Sequence, residues 1–154
     1  MTSPHPRPVA LITGGAKRVG AVIARTLHTA GYDLALHCRH SVSEAQALAD
    51  ELAAQRPDSV LILQAELADT HALPRLVDDT LSRYERLDAL INNASAFYPT
   101  PVGTATVAQW NELFASNAQA PFFLTQAAAP ALRAAHGAIV NIADIYATDR
   151  TSVV

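Results

Sequence analysis

The segment that decides the fold is TGGAKRVG, residues 13–20. It follows a short apolar run typical of a strand, Val9 to Thr13, and precedes an amphipathic helical pattern. A glycine-rich turn between a strand and a helix lets backbone N–H groups approach a phosphate, which then lies at the positive end of the helix dipole. The segment therefore predicts a phosphate-binding turn, with an ordinary strand-to-helix turn as the alternative.

Beyond this turn the chain alternates short apolar runs with longer helical patterns. The predicted strands are Val9–Thr13, Asp33–Cys38, Val60–Gln64, Ala89–Asn92 and Ala138–Ile142. Repeated strand-then-helix order implies right-handed crossovers, and hence a mostly parallel sheet covered by helices on both faces. We therefore expect one α/β domain over residues 1–154, built on a doubly wound parallel sheet of about five strands.

The helical patterns allow further predictions about faces and ends. The first helix is expected to bury one face, made of Val22, Ile23, Leu27 and Ala30, with Gly31 at its C-terminal cap. Ser43 and Gln46 have the spacing of a capping box, which predicts the start of the second helix. Asp69 precedes the third helix, in which Pro74 is acceptable only within the first turn.

A proline interrupts the longest helical pattern, which runs from Val107 to Arg133. Pro121 cannot donate the backbone hydrogen bond of a helix, and its ring clashes with the carbonyl four residues earlier, which belongs to Asn117. The helix is therefore predicted to kink and to leave the Asn117 carbonyl free. The alternative is that Pro121 only bends the helix around the sheet.

Composition argues against several classes of protein. Half of the 154 residues are hydrophobic and the net charge is −3, so neither disorder nor a nucleic-acid or anionic-membrane partner is expected. The single cysteine, Cys38, fits a reducing compartment. No apolar run is long enough for a membrane helix, and the first residues, MTSPHPRP, lack the apolar core of a secretory signal. We expect a cytoplasmic protein without a metal site.

The end of the second predicted strand bears on the choice of nucleotide. A carboxylate there would accept hydrogen bonds from a ribose 2′-hydroxyl and favour NAD. This chain instead has His37, Arg39, His40 and Ser41, with no acid among them. Basic and hydroxyl groups suit a 2′-phosphate, which favours NADP(H); a solvated loop that happens to hold these residues is the alternative.

Together these segments resemble a known family. TGGAKRVG, then ALINNAS (89–95), Asn117 and IVNIAD (139–144) are similar in order and spacing to the short-chain dehydrogenase/reductase family. Within that family the chain resembles the pteridine reductase branch. The marks of this branch are Lys17-Arg18, the basic run at 37–41, NASAFYPTP (93–101) and Asp144 where most relatives have serine. The resemblance runs from Val9 to Arg150.

The resemblance implies a Rossmann-like fold and a reductase that transfers hydride from NADPH to a pterin or an oxidised folate-type compound. Its implied cofactor-binding residues are Gly14, Lys17, Arg18, Val19, Gly20, His37, Arg39, His40, Ser41, Glu66, Leu67, Asn93, Ala94 and Ser95. Glu66 stands where the family has an acidic adenine contact, usually aspartate.

The resemblance also implies substrate-binding and catalytic residues. Ser95, Phe97 and Arg18 would contact the pterin, with Phe97 stacking on its flat ring. The alternative for Phe97 is a loop aromatic packed on the core. Asn117 would hold through its carbonyl a water that relays protons, and Asp144 would orient the catalytic groups.

The family's catalytic tyrosine and lysine lie beyond the last residue of this sequence, and Tyr146 is too close to Asp144 to replace the tyrosine. We therefore expect the chain to be a fragment or a truncated product, with the C-terminal strands and helices missing and no turnover of its own. Its fifth strand is expected to form an exposed sheet edge and to limit solubility. Relatives are dimers or tetramers, while the assembly of this chain stays open. A non-catalytic NADP-binding module and a reductase of other carbonyl or imine substrates are the alternatives.

Overall fold

The structure is a computed structural model that describes residues 7–143, so Asp144 lies outside the described residues. The strands are β1 (Val9–Ile12), β2 (Asp33–Cys38), β3 (Val60–Gln64), β4 (Ala89–Asn92) and β5 (Ala138–Asn141). The helices are α1 (Arg18–Thr29), α2 (Val42–Gln55), α3 (Leu73–Tyr84), α4 (Val107–Phe114) and α5 (Ala120–Ala134). A π-helical segment, Ala115–Gln119, joins α4 to α5.

All five strands pair in parallel in the order β3-β2-β1-β4-β5. In the register, Leu11 of β1 lies between Ala35 of β2 and Leu90 of β4. The chain runs outward from β1 to β3, then crosses back to β4 on the other side of β1. This doubly wound arrangement confirms the predicted fold class. It also separates the connections that follow β1 and β4, which opens a crevice at their carboxyl ends.

Helices cover both faces of the sheet. On one face α3 and α5 pack against Val9, Leu11 and Leu90, while on the other face α1 and α2 pack against Ala10 and Ile12. Because successive residues of a strand point to opposite faces, β1 contributes to both cores and is buried along its whole length. None of the helices within residues 7–143 is long and apolar enough to cross a lipid bilayer.

The buried face of α1 differs from the predicted one. It consists of small residues and one histidine, namely Gly20, Ala21, Ala24 and His28. Ile23 and Leu27 are partly buried as expected, but Val22 and Ala30 are exposed, so the prediction was wrong for these two. Small side chains let the helix lie close to the sheet, and the larger apolar residues are displaced to its flanks.

The start of α2 also differs from the prediction. The helix begins at Val42, directly after Ser41, so Ser43 already lies in its first turn and cannot cap it. Gln46 donates to Asp50 at 2.8 Å rather than returning to the helix start. The capping box predicted at Ser43 and Gln46 is therefore wrong, because the connection from β2 is short and the helix starts earlier. Pro74 does lie in the first turn of α3, as predicted.

The predicted kink at Pro121 takes the form of the π-helical segment. The N–H of Ala120 bonds to the carbonyl of Ala115, five residues earlier, instead of the usual four. Pro121 follows directly, in the first turn of α5, where its missing N–H and its ring interrupt the regular helical hydrogen bonding. The helical pattern from Val107 to Arg133 is thus divided into α4, the π segment and α5.

Strand β5 forms one edge of the sheet described by residues 7–143. It pairs with β4 alone in this part of the chain, and all four of its residues are exposed. The exposed fraction is 39% for Ile139 and 44% for Val140, although neighbouring residues of a strand point to opposite faces. The prediction of an exposed edge at the fifth strand is confirmed.

Candidate functional site

A cleft of about 730 Å³ lies at the carboxyl ends of the central strands. The structure brings every residue of the predicted cofactor set to its walls: Gly14, Lys17, Arg18, Val19, Gly20, His37, Arg39, His40, Ser41, Glu66, Leu67, Asn93, Ala94 and Ser95. Sequence reasoning missed Ala16, Cys38, Ala68, Ala96, Glu112, Ser116 and Ile142, which also line it. Four of them lie within segments that the sequence analysis singled out, and this position was the available signal: Ala16, Cys38, Ala96 and Ile142. Ala68, Glu112 and Ser116 are identified only by the fold.

Two glycines of the turn after β1 are required by close contacts. Gly14 has a φ of +62°, and a Cβ added there would lie 3.0 Å from the Cα of Ala94. A Cβ on Gly20 would lie 2.1 Å from the carbonyl oxygen of Gly14, too close for any side chain. The first N–H groups of α1 have no partner within the helix, so this turn presents donors and the positive end of a helix dipole. These features fit a pyrophosphate.

Arg18 has an unusual backbone conformation at the start of α1. Its φ is +48°, in the left-handed region that favours glycine. The family fingerprint has a glycine at this position, and the present chain keeps the glycine-like backbone while adding a cation. Its side chain lies on the cleft wall, and among residues 7–143 no carboxylate forms an ion pair with it.

The buried side chain of His37 holds the turn that follows β1 by a hydrogen bond to Gly14. Only 1% of the residue is exposed; its Nδ1 accepts a hydrogen bond from the N–H of Gly14 at 3.2 Å, and its Nε2 lies 3.1 Å from the carbonyl oxygen of Ala65. Because Nδ1 accepts, Nε2 must carry the proton and donate it to Ala65. Burial lowers the pKa of His37, against a weaker opposing effect of the Ala65 hydrogen bond. His37 is thus a neutral bridge between the turn and β3.

A second set of hydrogen bonds fixes the turn to the end of β4. The Oγ1 atom of Thr13 accepts from the N–H groups of Asn93 and Ala94, at 3.0 Å each. The side-chain amide of Asn93 donates to the carbonyls of Thr13 at 3.0 Å and Gly14 at 3.1 Å. Thr13 was not among the predicted site residues, although its place between the first strand and Gly14 was the available signal.

The charged groups of the cleft are partly paired. Arg39 forms an ion pair with Glu66. Lys17 lies 2.6 Å from Glu44 of α2, and this contact lowers the pKa of the Glu44 carboxyl. Two of the cations in the cleft therefore have carboxylate partners within the chain.

A second cavity, of about 780 Å³, shares a wall with the cleft. Asn93, Ala94 and Ser95 line both cavities, while Phe97 and Asn117 line only the second. Phe97 is 88% exposed, so it is not packed on the core, and that alternative is excluded. Its ring is free to cover a flat ligand.

Asn117 lies in the π-helical segment and holds the loop that carries Ser95 and Phe97. Its Oδ1 accepts from the N–H of Ala96 at 3.0 Å, and its Nδ2 donates to the carbonyl of Ala96 at 2.8 Å. The amide therefore pairs with Ala96 as a neighbouring strand would. Within residues 7–143, no group of three or more His, Cys, Asp or Glu side chains is placed to hold a metal ion.

The sheet order and the glycine turn at its switch point define the Rossmann-like α/β class of protein. The profile of the short chain dehydrogenase family matches residues 8–153, and the chain belongs to this family.

Its similar proteins are reductases of several substrate classes. Pteridine reductase 1 of Leishmania tarentolae is 38% identical over 158 residues, covering 82% of this chain and 55% of that protein. The putative ketoacyl reductase 2 of the granaticin polyketide synthase of Streptomyces violaceoruber is 33% identical, and the match covers 90% of this chain and 55% of that protein. The 3-oxoacyl-(acyl-carrier-protein) reductase FabG of Staphylococcus aureus is 31% identical, and the match covers 88% of this chain and 55% of that protein. The chain spans about half the length of these relatives.

Proposed function

We propose that this chain forms the nucleotide-binding part of an NADPH-dependent reductase whose substrate is a pterin. The observation that carries the cofactor assignment is the cleft itself. It combines the donor-rich turn at Gly14–Gly20 with Arg39, His40 and Ser41 after β2, where a carboxylate would have favoured NAD. Bound NADPH would supply the hydride, and the residues of the cleft bind and orient the NADPH.

Different parts of the cleft bind different parts of the cofactor. The turn and Arg18 hold the pyrophosphate, and Arg39 with its neighbours holds the 2′-phosphate. The residues after β4, Asn93 to Ser95, face the nicotinamide, because they line both the cleft and the second cavity. The substrate therefore occupies the second cavity, next to the reacting end of the cofactor.

A pterin suits the chemistry of the second cavity. Phe97 offers an exposed aromatic face for the flat ring, a contact worth roughly 0.5–1.5 kcal/mol beyond area burial. Ser95 supplies hydrogen bonds to its polar edge. Arg18 lines the cleft and not the second cavity, so its proposed contact with the pterin would be made from the cleft side. Asn117 keeps the loop of Ser95 and Phe97 in place, and we propose that its carbonyl holds a water for proton relay. Asp144, in the sequence after β5, is proposed to orient the catalytic groups around the pterin.

The cofactor assignment is tested by titrating the chain with NADP⁺ and NAD⁺ in a calorimeter. Arg39→Ala should weaken NADP⁺ roughly tenfold, because it removes a charged hydrogen bond to the 2′-phosphate, and should leave NAD⁺ unchanged. Arg25→Ala is the matched control, since Arg25 pairs with Glu51 on the surface outside the cleft. Equal losses for both nucleotides in Arg39→Ala would contradict the assignment.

The ketoacyl reductases among the relatives favour a second candidate, the reduction of a carbonyl substrate. The two candidates are separated by the binding of a dihydropterin and of a β-ketoacyl thioester to the NADP⁺ complex. For a pterin site, Phe97→Ala should weaken the dihydropterin by about two- to tenfold through the lost stacking. Val102→Ala, fully exposed in the same loop, is the control. If Phe97→Ala leaves dihydropterin binding unaffected and the β-ketoacyl thioester binds, the carbonyl reductase is favoured.

A further inference from the structure

The ion pair between Arg39 and Glu66 joins the ends of two neighbouring strands. Cys38 and Gln64 are partners at the ends of β2 and β3, so the residues that follow them emerge at the same edge of the sheet. Nε of Arg39 contacts Oε2 of Glu66, and both side chains line the cleft. The cation assigned to the 2′-phosphate therefore already has a counter-ion built into the cleft.

Both partners of this ion pair are held by further hydrogen bonds. Oε1 of Glu66 accepts from the N–H of Ala68 at 3.2 Å, which fixes the carboxylate on its own turn. The backbone carbonyl of Arg39 accepts from Nε2 of Gln64 at 3.0 Å, which fixes the main chain at Arg39 and not its guanidinium. A ligand that takes the guanidinium must draw it away from a carboxylate that stays in the cleft.

The electrostatic cost of this arrangement depends on the nucleotide. A phosphate monoester carries a charge of about −1.5 to −2 at neutral pH. It therefore competes with the Glu66 carboxylate for the guanidinium of Arg39, and the carboxylate repels it. A free 2′-hydroxyl has no charge and does not need the guanidinium. The carboxylate of Glu66 therefore penalises the phosphorylated nucleotide more than the unphosphorylated one.

We propose that Glu66 is a specificity-determining residue, which reduces the preference for a 2′-phosphorylated dinucleotide by competing with the 2′-phosphate for Arg39. This inference rests on the proposed occupation of the cleft by a dinucleotide. Glu66 then has a role beyond that of an adenine contact. Its single carboxylate sets how strongly the cleft prefers NADP(H) over NAD(H).

The test is calorimetric titration of NADP⁺ and NAD⁺ into the unaltered chain, Glu66→Gln and Glu51→Gln at low salt. Glu66→Gln keeps the side-chain length and an oxygen for the Ala68 N–H. Glu51→Gln makes the same charge change outside the cleft, where Glu51 accepts from Arg25 at 2.8 and 2.6 Å. Glu66→Gln should raise the affinity for NADP⁺ relative to that for NAD⁺ by about two- to fivefold, the range of an exposed ion pair, because any change at the shared adenine affects both nucleotides alike. Glu51→Gln should change neither.

Several results would overturn the inference. An unchanged ratio of the two affinities in Glu66→Gln, or an equal loss for both, would reduce Glu66 to an adenine contact while leaving the proposed function intact. A gain of the same size in an Arg39→Ala background would show that the two residues do not compete. If neither nucleotide binds the unaltered chain, the inference and the proposed function both fall.

Discussion

Arg18 combines a structural cost with the binding role that we propose for it. Its left-handed backbone, with φ at +48°, costs a side chain about 1–2 kcal/mol that glycine does not pay. The position opens the first helix and faces the cleft, and no carboxylate among residues 7–143 forms an ion pair with Arg18. Strain of this kind is retained at functional sites when the side chain contributes to binding.

Replacing Arg18 by glycine should separate these two effects. We expect Arg18→Gly to raise the free energy of unfolding by about 0.5–1 kcal/mol, the relieved strain less the entropy cost of glycine. Its affinity for NADP⁺ should fall roughly tenfold through the lost charged hydrogen bond. Urea denaturation and calorimetric titration measure the two quantities.

Glu85 provides a matched control, because it also has a positive φ, +58°, at the C-terminal cap of α3 and lies outside the cleft. Glu85→Gly should stabilise the chain by a similar amount and leave NADP⁺ binding unchanged. Undiminished NADP⁺ affinity in Arg18→Gly would remove Arg18 from the phosphate site.

The π-helical segment is the element that connects the helical layer to the second cavity. It places the amide of Asn117 against the backbone of Ala96, in the loop that follows β4. The wide turn arises where Pro121 interrupts the regular hydrogen bonding, so a break in the helix is used to hold a loop. π-Helical turns within α-helices are frequently found at functional sites.

Removing the Asn117 amide should loosen the loop without unfolding the sheet. In Asn117→Ala the N–H of Ala96 loses its acceptor, and we expect its hydrogen exchange to accelerate about tenfold, as for the loss of one to two modest hydrogen bonds. Asn111→Ala, the same substitution at an exposed position of α4, should leave this exchange rate unchanged. Equal rates at Ala96 in the two variants would show that Asn117 does not hold the loop.

The sheet as a whole is unevenly covered. Strands β1, β2 and β4 are buried along their length, while β5 exposes every residue. An apolar, parallel edge strand presents unpaired backbone groups together with hydrophobic side chains, a combination that favours association with another chain. The chain should therefore self-associate in a concentration-dependent manner.

A charge on the edge should reduce this association. We expect Val140→Lys, at the centre of β5, to shift sedimentation profiles toward a slower species at a given concentration, because a lysine opposes strand addition. Val102→Lys adds the same charge to an isolated exposed residue in a loop and should have little effect. Identical profiles for the two variants would place the association surface elsewhere.

The sequence by itself determined the order of strands and helices and the place of the glycine turn between them. Strand runs, the alternation of strand and helix, and the glycine turn are encoded by neighbouring residues, so β2, β3 and β4 were predicted with the bounds that the structure has. The carboxyl ends of parallel strands meet at one edge of a sheet, so the predicted cofactor residues could be expected to converge.

Only the tertiary structure decided what these residues do once they are together. The sequence placed His37 among the basic groups suited to a 2′-phosphate, but the residue is buried and neutral because its Nδ1 accepts a hydrogen bond from the turn after β1. Arg39 looked unpaired until β3 brought Glu66 beside it, from 27 positions further along the chain. Likewise, α1 buried its small residues because the sheet beneath it lies close. Each outcome depends on contacts between distant segments, which local patterns of residues do not encode.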